Sequence, residues 1–275
     1  MWQRSFVALG CAAVLGLAIG QSRGQTKEGN SACPWSPPPA WGQRGDAGLS
    51  NEPFAPYNAM IYTGGFDPIF NRVNMDGWHA SKTNFHGVTP NFFVTNRILV
   101  ATQNPRGFGG ILLSDRKFKN AEIYMEVKPD WGCDSGLFLR SAEDGSAYQV
   151  MLDYLPGGNM GGVIGERLVG VGGPRPATPA EREKFLTAME KRNEAWQKVW
   201  KREDWNSVRV RIEGDAPHIQ VWINDTLITD FRDTANHAKG GIVSGPIGLQ
   251  VHGQNRWVDG GFWRWRVVAV KELPD

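Results

Sequence analysis

Three cysteines in 275 residues are too few for a disulfide framework, which excludes the small stapled scaffolds where bridges replace a core. An excess of one charge is also missing. Thirty basic against 28 acidic residues leave a formal net charge of +2, so no broad field favours nucleic acid or an acidic membrane as a partner. After the first 24 residues no segment offers 18 consecutive apolar positions, and no membrane span is expected there. GxSxG, HExxH, CxxC and P-loop patterns are absent, which removes support for serine-hydrolase, zincin and nucleotide-dependent classes.

What is present begins with a leader. Residues 1–24 run from Arg4 through FVALGCAAVLGLAIG to small and polar residues, the pattern of a secretory signal peptide, which implies export to a periplasmic or extracellular space. Residues 25–60, with SPPPAWG and GDAGLSNEPFAP, are rich in Pro, Gly, Ser and Asn and read as an extended N-terminal arm. Loss of the leader leaves Cys33 and Cys133. Either they pair across a loop of about a hundred residues, or Cys133 is a small buried apolar residue and Cys33 is free.

From Ile61 to the end at residue 275, short apolar runs alternate with turn signals: NRILVAT, GGILLSD, AEIYMEV, SGLFLR, AYQVMLDYL, NSVRVRIEG, HIQVWIND, GPIGLQVHG and WRWRVVAVKEL. This spacing predicts an all-β sandwich. One interruption has helical character. Thr178-Pro179-Ala180-Glu181 supplies an N-cap, a first-turn proline and a capping-box glutamate, and predicts an inserted helix over about 178–203. It either packs on the sandwich edge or forms a lid. Asn224-Asp225 is read as a hairpin turn.

The most informative stretch is Asp134 to Asp153. Strict alternation sends Ser135, Leu137 and Leu139 to one side and Asp134, Gly136, Phe138 and Arg140 to the other. In the following run Tyr148, Val150, Leu152 and Tyr154 separate likewise from Gln149, Met151 and Asp153. Near the C-terminus Ile247, Leu249 and Val251 turn inward, leaving Gly248, Gln250 and His252 outward. Asp134, Arg140, Gln149, Asp153, Gln250 and His252 thus share one polar sheet face as candidate site residues. Twelve tryptophans add a hint of carbohydrate, because aromatic faces pack against sugar C–H faces. Trp131, Tyr154 and Trp257 flank the proposed site, whereas Trp222 and Trp265 read as core.

These residues carry a family resemblance. Met75-Asp76-Gly77-Trp78, Gly110-Ile111-Leu112-Leu113, the stretch from Asp134 to Arg140 and Tyr148 to Asp153 come first. Asp204-Trp205-Asn206, Val221-Trp222-Ile223-Asn224 and Gly245 to His252 follow, in order, within roughly residues 61–273. In this the chain resembles the bacterial 3-keto-disaccharide hydrolase family, once a domain of unknown function. The resemblance implies a jelly-roll β-sandwich of the concanavalin A-like lectin/glucanase type and cleavage of 3-keto-glycosides. The family usually has Asn at 134, and Glu and Gln where Gln149 and Met151 stand here.

A 3-keto group acidifies the C2 proton, so a base removes it, the C1 substituent is eliminated, and water adds to the enone. Such chemistry needs a base, donors for the developing enolate and an acid for the leaving group; a divalent metal can replace the donors. Asp153, which lies on the polar face and matches the acid the family retains, is the candidate base or metal ligand, and His252, turned outward by parity, is the candidate proton donor or metal ligand. Glu166 is the second carboxylate, either standing in for the acid absent at Gln149 or an exposed loop residue, and Arg140 either orients a hydroxyl or keto oxygen or holds Asp134 or Asp153 in place. A non-catalytic carbohydrate-binding module on the same fold is the alternative, and a tethered surface-interaction domain a third. The expected partner is a saccharide ligand, with no nucleic acid and no membrane span.

Overall fold

The structure, a computed structural model, describes Leu49, residues 52–82, His86 and Gly87, and residues 91–275. The leader read at 1–24, most of the arm and Cys33 lie outside the described residues. Within them the chain forms two antiparallel sheets packed face to face with few helices, the jelly-roll sandwich with one inserted helix.

In chain order the elements are α1 (Ala59–Tyr62), β1 (Asp67–Pro68), β2 (Trp78–Ala80), β3 (Asn91–Thr95), β4 (Ile98–Thr102), β5 (Gly110–Ser114), β6 (Ala121–Val127), β7 (Ser135–Leu139), β8 (Ala147–Leu152) and β9 (Val163–Glu166). They continue with α2 (Pro179–Val199), β10 (Asn206–Glu213), β11 (His218–Ile223), β12 (Thr226–Arg232), β13 (Gly248–Val251) and β14 (Trp263–Glu272). The first sheet has the order β12-β11-β10-β6-β14-β4-β3, with β1 also paired to β14. The second has the order β2-β5-β13-β7-β8-β9.

Alternation builds the core. Val208, Val210 and Ile212 of β10 and Ile219, Val221 and Ile223 of β11 point inward from the first sheet, while the residues between them stay half-exposed. They meet Leu137, Leu139, Tyr148, Val150, Leu152, Leu249 and Val251 of the second sheet in one continuous cluster. Each full burial of such an aliphatic side chain contributes roughly 1.5–3 kcal/mol. In β14 the parity changes along the strand: Trp263 and Trp265 face the core, a bulge intervenes before Val267, and Val268 and Val270 then continue inward. The bulge turns Val267 and Ala269 outward, where they pack with Phe66 and Tyr124 under a cover that includes Tyr57, Met60 and Ile61.

The helix α2 begins at a complete capping box. Thr178 Oγ1 accepts from Glu181 N, and Glu181 Oε2 accepts from Thr178 N. Its one buried residue is Trp196, and it packs against β12, the outer strand of the first sheet. The helix thus packs on the sandwich edge, where Arg192 also reaches Asn159 in the turn after β8. At the β11–β12 hairpin Asn224 and Asp225 take positive φ values of 46° and 63°, as a tight two-residue turn requires. Asn224 Nδ2 donates to Val199 O at 2.7 Å and so fastens the end of α2 to that turn.

Cys133 is buried and free. It packs in the core, and burial pushes its thiol well above the usual range; the pairing with Cys33 falls outside the described residues. Among the described residues no helix is long and apolar enough to cross a membrane.

Candidate functional site

The polar face of the second sheet is assembled across β13, β7, β8 and β9. Register sets Leu249 opposite Leu137, Phe138 opposite Gln149, and Gln149 opposite Ile164. One step on, Gln250 stands beside Gly136. Gln149 Nε2 donates to Gln250 Oε1 at 3.0 Å, and this bond passes over Gly136. A Cβ there would come within 2.4 Å of the Gln149 amide nitrogen and 2.9 Å of the Gln250 oxygen, so the glycine is required by close approach. Gln250 Nε2 in turn lies 3.1 Å from His86 Nε2.

Two histidines meet at this row. The rings of His86 and His252 are edge to face with centroids 5.1 Å apart, and His86 also stands edge-on to Phe138 at 6.3 Å. His86 Nε2 is 3.6 Å from Glu166 Oε1, and His252 Nε2 is 3.6 Å from Asp134 Oδ2. From Asp134 the network reaches Arg256, whose Nε donates to Asp134 Oδ2 at 3.3 Å and whose Nη2 bonds Asp153 Oδ2. Asp153 is held from below as well: its Oδ1 accepts from Leu155 N at 3.1 Å. The turn closes so tightly on this carboxylate that a Cβ at Gly158 would lie 2.6 Å from Asp153 Cγ.

Exposure shows which members face outward. The Asp134 and Asp153 side chains are each 4 % exposed, whereas His252 is 25 % and Arg256 31 % exposed. The imidazole and guanidinium form the mouth of the site, with the two carboxyls behind them.

Burial also sets the protonation states. Removal from water, reinforced by the neighbouring Asp153 charge, pushes the Asp134 carboxyl up to about 8, so at neutral pH it carries a proton. Asp153 is raised too, by burial, but Arg256 opposes the shift. His252 moves the other way: burial, and then the proximity of His86, lower it to about 4, so it is neutral at pH 7. Its tautomer follows from its partner. Nδ1 lies 2.6 Å from Gly253 O, a carbonyl that can only accept, so Nδ1 carries the hydrogen and Nε2 presents a lone pair. A neutral base, a protonated carboxyl and a fixed cation thus stand side by side.

Of the residues expected at the site, Asp134, Gln149, Asp153, Gln250, His252 and Glu166 are on this face. Arg140 is not part of it. It follows the end of β7 with φ 48°, and this left-handed turn breaks the alternation and sends the guanidinium to the opposite end of the strand. There it donates to Lys119 O, Gly214 O and Asp215 O at 3.1, 2.6 and 3.1 Å. Tyr154 and Trp257 are core residues: Tyr154 OH donates to Asp130 O at 2.9 Å, and Trp257 Nε1 to Gly261 O at 3.0 Å. Trp131 stacks on Tyr154 at 4.4 Å, which stacks on Trp200 at 5.9 Å. These aromatics join the 130–133 loop to the end of α2 instead of lining the polar face.

Asp153 and His252 do not converge on a metal. Arg256 already occupies the Asp153 carboxylate, and His252 Nε2 faces Asp134. Among the described residues no group of three or more His, Cys, Asp or Glu side chains forms a metal-ligand set. Two participants escaped the sequence reading, His86 and Arg256. Both stand in loops without a hydrophobic period, so parity could not find them. Arg256 had one available signal, its place four residues beyond the outward-facing His252.

The family model described as a 3-keto-alpha-glucoside-1,2-lyase-like domain matches residues 65–271 of this chain. Among solved structures, a candidate glycosyl hydrolase from Parabacteroides distasonis is similar at 16 % identity, over 80 % of this chain and 99 % of that one, with a TM-score of 0.47. A carbohydrate-binding module from Bacillus subtilis is similar at 15 % identity, over 72 % of this chain and 97 % of that one, with a TM-score of 0.41. No curated protein matches the chain.

Proposed function

The chain belongs to the 3-keto-alpha-glucoside-1,2-lyase-like family, and from this premise we propose that it cleaves 3-keto-glycosides by elimination and hydration. The observation that carries the proposal is the neutral His252 set against the protonated Asp134 behind Arg256. His252 Nε2 takes the C2 proton, and the C–H electron pair moves into the enolate at C2, C3 and the keto oxygen. Arg256 donates hydrogen bonds to that oxygen as its charge grows. Collapse of the enolate forms the C1–C2 double bond and breaks the bond from C1 to the aglycone oxygen, which takes up a proton. Asp134, 3.6 Å from the imidazole, is the proton reserve. Water then adds across the double bond.

In this scheme Asp153 is the anchor of Arg256 and not the base, because its carboxylate is already committed to the guanidinium and to Leu155 N. Glu166, close to His86, provides the carboxylate that Gln149 lacks. No step needs a metal at Asp153 and His252. The leader read at residues 1–24 places the activity outside the cytoplasm, and the sandwich from residue 61 onward constitutes the working domain.

The test is incubation of the purified protein with a 3-keto-glucoside in deuterated water, following free aglycone and deuterium at C2. Aglycone release is expected, and His252→Ala should lower kcat/KM by about 100- to 10,000-fold, the usual range for a positioned base, while leaving the circular dichroism spectrum unchanged. Full turnover in that variant overturns the assignment of the base. A second reading, a sugar-binding module without catalysis, draws on the Gln149–Gln250 amide pair, in which an amide stands where a proton-transferring acid would be expected. Binding of the keto-sugar with neither C2 exchange nor release would establish it.

A further inference from the structure

A second cleft lies on the first sheet, away from the face that carries His252. It has a volume of about 790 Å³ and is bordered by the 54–62 segment, the 71–73 turn and the β3–β4 hairpin. Phe54 and Tyr62 line it and are 60 % and 69 % exposed. Large rings left in water next to a concave surface mark a binding site more often than a packing need.

The charged part of the cleft is cationic. Arg72 and Arg97 line it, and no carboxylate does. Arg72 forms a fixed floor: its guanidinium lies 4.0 Å from the Tyr57 ring, Nε donates to Arg266 O at 2.9 Å, and Nη1 donates to Ala55 O at 2.8 Å. Arg97 stands 4.9 Å over the Phe54 ring and, among the described residues, has no carboxylate partner. Its backbone is the unusual feature. Asn96 and Arg97 form the two-residue turn between β3 and β4, with φ 48° and 62°, and glycine is the favoured residue at the second position. A long cationic side chain held there in a left-handed conformation is strained, and among the described residues its charge meets the Phe54 ring and no carboxylate.

We propose that this cleft is a second saccharide site, specific for an acidic sugar, with a pyranose face against Tyr62 and Phe54 and its carboxylate or sulfate on Arg97. Aromatic faces match sugar C–H surfaces, and a guanidinium fork matches a planar carboxylate or a sulfate. The near-neutral chain, at net charge +2, lacks the extended positive field that a polyanion such as nucleic acid needs. The site stands on its own residues and does not rest on the reaction proposed at His252.

Calorimetric titration of the full chain with tri-galacturonate, a sulfated galactose trisaccharide and neutral galactotriose tests it. At least one acidic probe should bind ten-fold or more tightly than the neutral one, with affinity falling as salt rises. Arg97→Gly suits the turn, so its melting temperature should equal or exceed the parent's while acidic-sugar affinity drops ten-fold or more. Tyr62→Ala should weaken the same binding, and neither change should alter turnover of a 3-keto-glucoside. Absence of binding by both acidic probes, equal binding of the neutral sugar, or undiminished affinity in Arg97→Gly would each refute the proposal.

Discussion

Asp134 and Arg140 stand at the two ends of β7, both almost entirely buried. Their surroundings differ in kind. Arg140 faces three backbone carbonyls, fixed acceptors that do not titrate. Asp134 faces an imidazole, a guanidinium and, through the latter, a second carboxyl. Carbonyl partners hold a charge in one state, whereas titratable partners leave its proton in balance. Burial alone therefore does not mark a reactive group; the chemistry of the partners does.

Three changes break or sharpen this contrast. The largest effect on stability is expected from Arg140→Ala, which removes a fully buried side chain together with its bonds to the Lys119, Gly214 and Asp215 carbonyls and should lower the free energy of unfolding by about 3 kcal/mol. Urea denaturation would measure it, and kcat of the fraction that remains folded should stay near the parent's. If kcat collapses while the fold holds, Arg140 has a part in the reaction after all.

Asp134→Asn is expected to do the reverse, with little loss of fold and a roughly 10- to 100-fold loss of kcat. The pH dependence gives this variant a second signature. Burial raises Asp134 from 3.8 to about 8 in the folded protein, so the native state binds its proton more tightly than the unfolded chain does. Its contribution to stability falls as pH climbs from about 4 to about 8. His252, lowered from 6.5 to about 4, contributes the opposite slope between those two values. The window from about 6.5 to 8 is therefore free of the His252 slope, and there the parent should lose stability with rising pH more steeply than Asp134→Asn. Activity of the parent should fall below about 4, as His252 gains its proton, and above about 8, as Asp134 loses its own. A stability curve with the same slope in both proteins across that window would count against a protonated Asp134.

The smallest effect is expected at Gly136. Alanine there collides with the Gln149–Gln250 bond, so the amide pair must separate, at a cost of about 1–3 kcal/mol for the buried groups left unpaired. A thermal melt would register it. Turnover should fall less than in Asp134→Asn, because no titrating group is displaced.

Much of the sandwich was legible because its strands bury one face each, and a period of two then states which residues point inward. The same argument placed Asp134, Gln149, Asp153, Gln250 and His252 on one side of three strands. It failed where the backbone leaves the extended region. Arg140 lies one residue past β7 with φ 48°, and no alternation rule carries across that turn. Tyr154 lies on the core side that alternation gives it with Leu152, and Trp257, in the loop after β13, is likewise core. His86 and Arg256 come from loops, whose paths are set by tertiary contacts that no local pattern encodes. The helix was legible from its capping box, but its docking strand was not, because residues on its first turns choose no partner.

That helix is attached unevenly. Residues 179–188 are exposed without exception, and the half-buried and buried positions, Met189, Arg192, Asn193, Ala195, Trp196, Val199 and Trp200, gather toward its end. Arg192 reaches Asn159 in the turn beyond Asp153, and Trp200 joins the Tyr154 stack. Backbone amides in the first turns should thus exchange with deuterium at the rate of local fraying, while those of the last turns open only with the sandwich. The helix should therefore behave as two segments in exchange though it is one in geometry, and its slow segment should register any loosening of the turn that holds Asp153.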